Sequence, residues 1–360
     1  ILALFPPILT IRGGIGGLFS GNLATMLHLG LVKPQIRDNT RVYWQLINAS
    51  YVITVIDTVA MGLFAFTLNL ALRRATQSQF YLFAVVPPVA CVLALALSIP
   101  LTSIIAIVTF RRGLDPDILV YPILASINDI VVTAAFVTTI LMVLAGGVFN
   151  YLLVGLFLVI LGVAVYLAWR NRGVPFFYQT IREGTAIVIL SSVVGSINGF
   201  FLSGMGARLQ EYPGLVVLYP ALTNALGNIG SIIGSTKTTS LALGYVRNFR
   251  DEVRSAVSSI LQVEAVAFGM HIVFGVVTYI IVSPASPGVS LIFLVSVAVT
   301  ANISTFLVIG FFALVIAYFS FRRGLNPDNI VIPAITTVSD SVVTIAVTPV
   351  IHVLKFLGLA

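Results

Sequence analysis

Charge is nearly missing from this chain. Only 9% of its 360 residues are Asp, Glu, Lys or Arg, against 59% hydrophobic residues, and the mean hydropathy is +1.09. A soluble domain of this size needs a charged exterior, so that class is excluded. Cysteine is reduced to Cys91, inside an apolar run, which excludes a disulfide framework and a thiolate metal centre. The only histidines are His28, His271 and His352, each solitary along the chain and read as structural. Short alternating strands are missing too, which argues against a barrel. The chain has no initiator Met and opens inside the apolar run "ILALFPPILT". It therefore reads as a trimmed chain and not as a signal peptide.

What is present is a series of long apolar stretches, at 4–32, 49–72, 80–110, 117–144, 147–169, 181–205, 215–245, 256–282, 290–320 and 328–354. Many are long enough to cross the ~30 Å hydrocarbon core as helices. Turn-rich pieces such as "FRRGLDPD", "WRNRGVP", "SPASPG" and "FRRGLNPD" separate them. The expected fold is an all-α polytopic membrane protein. The net charge of +7 could suggest nucleic acid. The basic residues are instead scattered through short helix-joining loops, as membrane topology requires, so no nucleic-acid partner is expected.

Two internal repeats organise the chain. Residues 111–133 match 322–344 at about half of positions, including Arg-Arg-Gly-Leu, Pro-Asp, a Pro, an Asp and Val-Val-Thr. Upstream, "FPPILTIRGGIGGLFSGNLATMLHLGLV" aligns with "YPALTNALGNIGSIIGSTKTTSLALGYV", so that Gly13/Gly227, Gly16/Gly230, Thr25/Thr239 and Gly30/Gly244 coincide. The order within each copy is the same, which marks the duplication of a whole helical unit. Segment 181–205 precedes the second glycine-rich helix, and its counterpart is expected before residue 1. The domains read as 1–144 for the first copy, 145–175 for a connecting helix and loop, and 176–360 for the second copy.

The loops fix how the copies relate. With 33–48 in the cytoplasm and one crossing per segment, Lys33, Arg37, Arg41, Arg111, Arg112, Arg170, Arg172, Arg182, Arg247, Arg250, Arg254, Arg322 and Arg323 fall inside. Only Arg73, Arg74, Arg208 and Lys355 fall outside, while Arg12 and Lys237 lie within segments. This bias predicts cytoplasmic loops at 33–48, 111–115, 170–180, 246–255 and 321–327 in a multi-pass protein of the cell membrane. Both copies then point the same way. Because a five-helix unit is odd, tandem parallel copies need one extra crossing between them, and the unpaired segment 147–169 supplies it.

Acidic residues inside the apolar segments pair across the repeat: Asp57 with Glu264, and Asp129 with Asp340. A carboxylate at the bilayer centre costs at least ~2.5 kcal/mol, so such residues face a bundle interior or water. Asp129 and Asp340 each lie 13 residues beyond a Pro, Pro116 or Pro327, and so reach the same depth. Packing beside a Thr, Asn or Arg is the plainer alternative, above all for Asp57 and Glu264, which Arg12 and Lys237 could neutralise. Asp115 and Asn326 suit helix N-caps, and Asp117 and Asp328 suit the positive helix end. An access point for cations is the competing use of those residues. The glycine-rich helices either pack closely or expose backbone carbonyls to an ion. The available ligands are oxygens, which suits a hard cation such as Mg2+ or Ca2+.

"RRGLNPDNIVIPAITTVSD" and "PALTNALGNIGS…LALG" resemble the MgtE family of magnesium transporters and channels, and still more its two-copy eukaryotic solute-carrier relatives. The resemblance covers nearly the whole chain. It implies two tandem parallel copies of a five-helix unit and a central pore, in which last-helix acids hold a hydrated Mg2+ as the transported ion. Carried over, the metal site is Asp129 and Asp340, with backbone oxygens of Ala125 and Thr336. Pore-lining positions are Asn224, Ser231 and Ser235, with Thr10, Gly17 and Gly21 in the first copy. Asp57, Glu264, Asp117 and Asp328 are secondary candidates. The first copy departs from the pattern at Gly13-Gly14 and Gly17, which leaves fewer side-chain ligands on that side. Mg2+ or other divalent cations and the lipid bilayer are the expected partners, and one chain with both halves is expected to suffice. A proton- or sodium-coupled transporter of another substrate is the alternative. An intramembrane aspartyl protease is disfavoured, because Ile-Asn-Asp and Val-Ser-Asp lack its Gly-x-Gly-Asp context.

Overall fold

Proline, glycine and asparagine at the turns divide the apolar sequence into helices. A computed structural model describes residues 4–71, 73, 76–204, 212–244, 249–286 and 288–358. Arg74, Arg208 and Arg247, with part of the 246–255 loop, lie outside the described residues. Among the described residues there are ten long helices and no strand: α1 (Phe5–His28), α2 (Arg41–Ala71), α3 (Phe80–Arg111), α4 (Pro116–Ala145), α5 (Val148–Arg170), α6 (Pro175–Gly204), α7 (Pro213–Ala242), α8 (Phe249–Val282), α9 (Leu291–Arg322) and α10 (Pro327–Phe356). Each coincides with one apolar stretch. Helices α2, α6 and α8 begin several residues before their apolar runs, because helicity continues through polar turns such as Arg41–Asn48.

Eight of these helices are long and apolar enough to cross a bilayer; α1 and α6 fall outside that set. Glycines and Arg12 dilute the apolarity of α1, and Arg182 and Glu183 do so near the start of α6. The chain is a multi-pass helical membrane protein.

Two compact units form: Ile1–Val193 with Ser320–Ala334, and Val194–Phe319 with Ile335–Ala360. In the first, α1 packs on α2, α3 and α4 around Ile8, Ile15, Leu18, Ile53, Val86 and Leu124. Gly62 of α2 is required there, since a Cβ would run into the Phe83 carbonyl of α3. Helix α5 lies at the margin of this unit. It buries only Leu153, Ile160 and Ala164, a narrow stripe set against Val55, Val85 and Val89 of α2 and α3. The second unit has its own core, built from Leu218, Leu222 and Leu226 of α7, Ala298 and Ile309 of α9, and Val343 and Val347 of α10.

The duplication is visible in packing within each unit. In the first, a Cβ at Gly16 of α1 would lie 2.9 Å from the Asn128 amide nitrogen of α4. In the second, a Cβ at Gly230 of α7 would lie 3.3 Å from the Ser339 hydroxyl of α10. The aligned glycines thus meet the aligned residues Asn128 and Ser339, one position before Asp129 and Asp340. Close helix approach accounts for these glycines; a larger residue at Gly230 would also strike Ile335 and Ile309.

Candidate functional site

Helices α4 and α10 carry the paired acids in equivalent local settings. Asp129 is exposed on α4, and its backbone carbonyl accepts a hydrogen bond from Thr133 Oγ1 at 2.6 Å. Asp340 is half-buried on α10, and its carbonyl accepts from Thr344 Oγ1, also at 2.6 Å. Thr344 Oγ1 in turn lies 2.6 Å from the Tyr219 hydroxyl of α7.

The remaining sequence-predicted positions divide between the units. Thr10 and Ala125 are half-buried in the first. In the second, a Cβ at Gly227 would lie 3.9 Å from the Thr336 methyl, which sets Thr336 against the glycine-rich helix. Ser231 and Ser235 are buried, and the Ser231 hydroxyl donates to Gly227 O of its own helix at 2.8 Å. Asn224 Oδ1 accepts from Asn228 Nδ2 at 2.9 Å. Ser231 and Asn224 are thus each held by a partner on the glycine-rich helix itself.

Both expected N-caps form. Asp115 Oδ1 accepts from Asp117 N–H at 2.9 Å, and Asn326 Oδ1 accepts from Asp328 N–H at 3.1 Å. Asp117 and Asp328 are buried far more deeply than a capping role needs, with 3% and 5% of their surfaces exposed. The two carboxylates act on each other electrostatically, and the Thr25 hydroxyl of α1 bonds Asp328. Along α1, Gly17, Gly21, Thr25 and His28 recur at helical spacing on one face. A Cβ at Gly17 would strike Ile332, and one at Gly21 would lie 3.6 Å from Asp328 Oδ1. This stripe therefore runs beside the first turns of α10.

Sequence reading missed two members of this region. Glu183 of α6 is 6% exposed. Its Oε2 accepts from Asn326 N–H and from Asn329 Nδ2, both at 2.9 Å, and its Oε1 accepts from Gln179 Nε2 at 3.0 Å. Asn22 closes the network: its Oδ1 accepts from Asn326 Nδ2 at 2.9 Å, and its Nδ2 donates to Asn329 Oδ1 at 3.0 Å. The Pro-Asp-Asn run was the signal available, but it named no partner. The second miss is His28. It is not solitary in the fold, because Nε2 lies 3.5 Å from Asp115 Oδ1 and 3.8 Å from Asp117 Oδ2. The other histidines are structural: His271 Nδ1 lies 2.7 Å from Ala267 O, and His352 Nδ1 lies 2.8 Å from Thr348 O.

The secondary acids differ from each other. Asp57 of α2 is fully buried; it faces the Thr185 hydroxyl of α6, yet neither carboxylate oxygen completes a hydrogen bond. The expected neutralisation by Arg12 is not found. Among the described residues Arg12 forms no ion pair, and its buried Nε makes no hydrogen bond. Glu264 Oε1 accepts from Asn302 Nδ2 of α9 at 2.6 Å, leaving Oε2 without a hydrogen bond.

Comparison with known proteins identifies relatives of the chain. The family described as "MgtE: Divalent cation transporter" matches residues 5–139 and 219–348, one stretch containing Asp129 and the other Asp340. Solute carrier family 41 member 3 of Rattus norvegicus is 22% identical over 67% of this chain and 52% of its own length. Solute carrier family 41 member 2 of Homo sapiens is 22% identical over 99% of this chain and 65% of its own length. The chain thus spans between about half and two thirds of these relatives. No solved structure matches it.

Proposed function

The chain belongs to the MgtE family of divalent cation transporters, and from that premise we propose that it carries Mg2+, in preference to other divalent cations, across the cell membrane. The ion passes between the two repeats, 1–144 and 176–360, which are joined through 145–175. It is held largely hydrated by Asp129 and Asp340, because Mg2+ sheds its waters reluctantly. Backbone oxygens of Ala125 and Thr336, and Thr10, Asn224, Ser231 and Ser235, complete the path. Loops 33–48, 111–115, 170–180, 246–255 and 321–327 face the cytoplasm, all ten helices cross, and a single chain suffices.

One observation carries this: the two acids occupy equivalent places in both family-matched stretches. Each follows the residue that abuts an aligned glycine, and each has its carbonyl bonded by a Thr one turn on. Two like charges brought together repel, and a dication between them removes the repulsion. Metal and protons then compete for the same oxygens. The test is Mg2+ binding by calorimetry and Mg2+ flux into liposomes. Asp129→Asn and Asp340→Asn each weaken both, and the double variant abolishes them; undiminished affinity in the double variant refutes the assignment.

Asp57 favours a second possibility, a proton- or sodium-coupled transporter. A buried carboxylate without a hydrogen-bond donor is a place for a coupling cation. Flux measured with and without a pH or Na+ gradient separates the two.

A further inference from the structure

We propose that His28, Asp115 and Asp117 form a second metal site, specific for imidazole-binding transition-metal dications and separate from the Asp129/Asp340 pair. The site is assembled from two helix ends. His28 is the last residue of α1, where the helix dipole favours a positive charge, and Asp115 and Asp117 open α4, where it favours negative ones. The imidazole is held edge-on to Phe110 at the end of α3, with centroids 5.5 Å apart.

Its Nε2 is buried and makes no hydrogen bond, although it points between two carboxylates. The spacing explains why a metal fits. Nitrogen and oxygen ligands ~2.1 Å from a tetrahedral metal lie ~3.4 Å apart, whereas adjacent ligands around octahedral Mg2+ lie ~3.0 Å apart. His28 Nε2 is 3.5 Å from Asp115 Oδ1 and 3.8 Å from Asp117 Oδ2, and the three ligand atoms all lie within 4.8 Å of one another. The imidazole nitrogen thus already stands within a few tenths of an ångström of ligand spacing from each carboxylate, and a metal that draws the two carboxylate oxygens together from within 4.8 Å completes three protein positions and leaves one for water.

Donor chemistry sets the selectivity. Imidazole with carboxylates suits Co2+, Ni2+ and Zn2+, while Mg2+ takes oxygen and keeps its water shell. The role is independent of the Asp129/Asp340 assignment, because it uses none of those residues.

The experiment uses the full chain in detergent micelles, stripped with a chelator and titrated with Co2+ against a large excess of Mg2+. Co2+ is the probe because its visible absorption reports coordination directly. One saturable equivalent is expected. His28→Gln and Asp117→Asn lower its affinity by about ten- to a hundredfold, while Asp129→Asn/Asp340→Asn leaves it unchanged, which separates this site from the transport reading. X-ray absorption at the cobalt edge of the unsubstituted chain guards against a variant that fails to fold: it shows imidazole scattering. A shell of oxygens alone, no saturable binding above Mg2+, or a His28→Gln chain that titrates like the parent overturns the proposal.

Discussion

Replacing Glu183 tests the buried network most sharply. Its carboxylate is the shared acceptor for the Asn326 backbone N–H, the Asn329 amide and Gln179. Glu183→Ala removes the acceptor and leaves the buried Asn329 amide and the half-buried Asn326 N–H without it, at up to about 1–3 kcal/mol each, or roughly 2–6 kcal/mol in all. Glu183→Gln keeps an oxygen that can accept both 2.9 Å bonds but loses the charge, and its amide opposes Gln179 unless that side chain turns. A loss of about 1–2 kcal/mol is expected. Arg182→Ala is the control: Arg182 is 79% exposed and only 4.0 Å from Glu183, so its loss should change stability by no more than about 0.5–1 kcal/mol. Two assays read the series. Thermal unfolding of the purified chain in one fixed detergent gives the order Ala below Gln below parent. Hydrogen exchange of peptides covering the start of α10 gives the local effect, with faster exchange at Asn326 in the Ala variant. If Glu183→Ala matches Arg182→Ala in both assays, the network does not hold the first turn of α10.

Three further outcomes are expected. Gly17→Ala places a methyl into Ile332 and should destabilise by about 1–3 kcal/mol, read as a lowered melting temperature; a neutral result would show that Ile332 yields freely. Asp57→Asn replaces a buried ionisable carboxyl that lacks a hydrogen-bond donor with an uncharged amide, so stability should hold or rise; a melting temperature that falls refutes this. Single cysteines placed at 33–48 and 170–180 in a Cys91→Ala background should react with an impermeant thiol reagent only from the cytoplasmic face, and labelling from outside would reject the loop assignment.

What was legible in the sequence was whatever is local. Ten apolar runs became ten helices, and Asp115 and Asn326 cap helices because a cap needs only a side chain and a backbone N–H two residues on. Boundaries failed where helices continue past their apolar runs. At Arg41–Asn48, Tyr43 and Leu46 are buried while Arg41 and Trp44 are exposed, so hydropathy falls although the helix does not end. Partners distant in sequence were not legible. Glu183 meets Asn326 and Asn329 across most of the chain, and no repeat-related residue within the chain announced it. His28 looked isolated for the same reason, since its carboxylates arrive with the next glycine-turn motif. Arg12 shows the converse: an opposite charge in the same copy offered itself as a partner for Asp57, yet both side chains are buried and no ion pair joins them among the described residues.

The narrow stripe of α5 has a consequence for how freely this part of the chain can change. A helix that buries only Leu153, Ile160 and Ala164 fully, with Phe157 and Leu161 partly covered beside them, answers mainly to two demands, a length sufficient to cross and an apolar surface for lipid. Its outward residues carry little information about the rest of the molecule, and they should drift faster than the buried stripe. For the engineer the same region is a spare panel, where a swap to an unrelated apolar helix that keeps those three side chains should pass unnoticed.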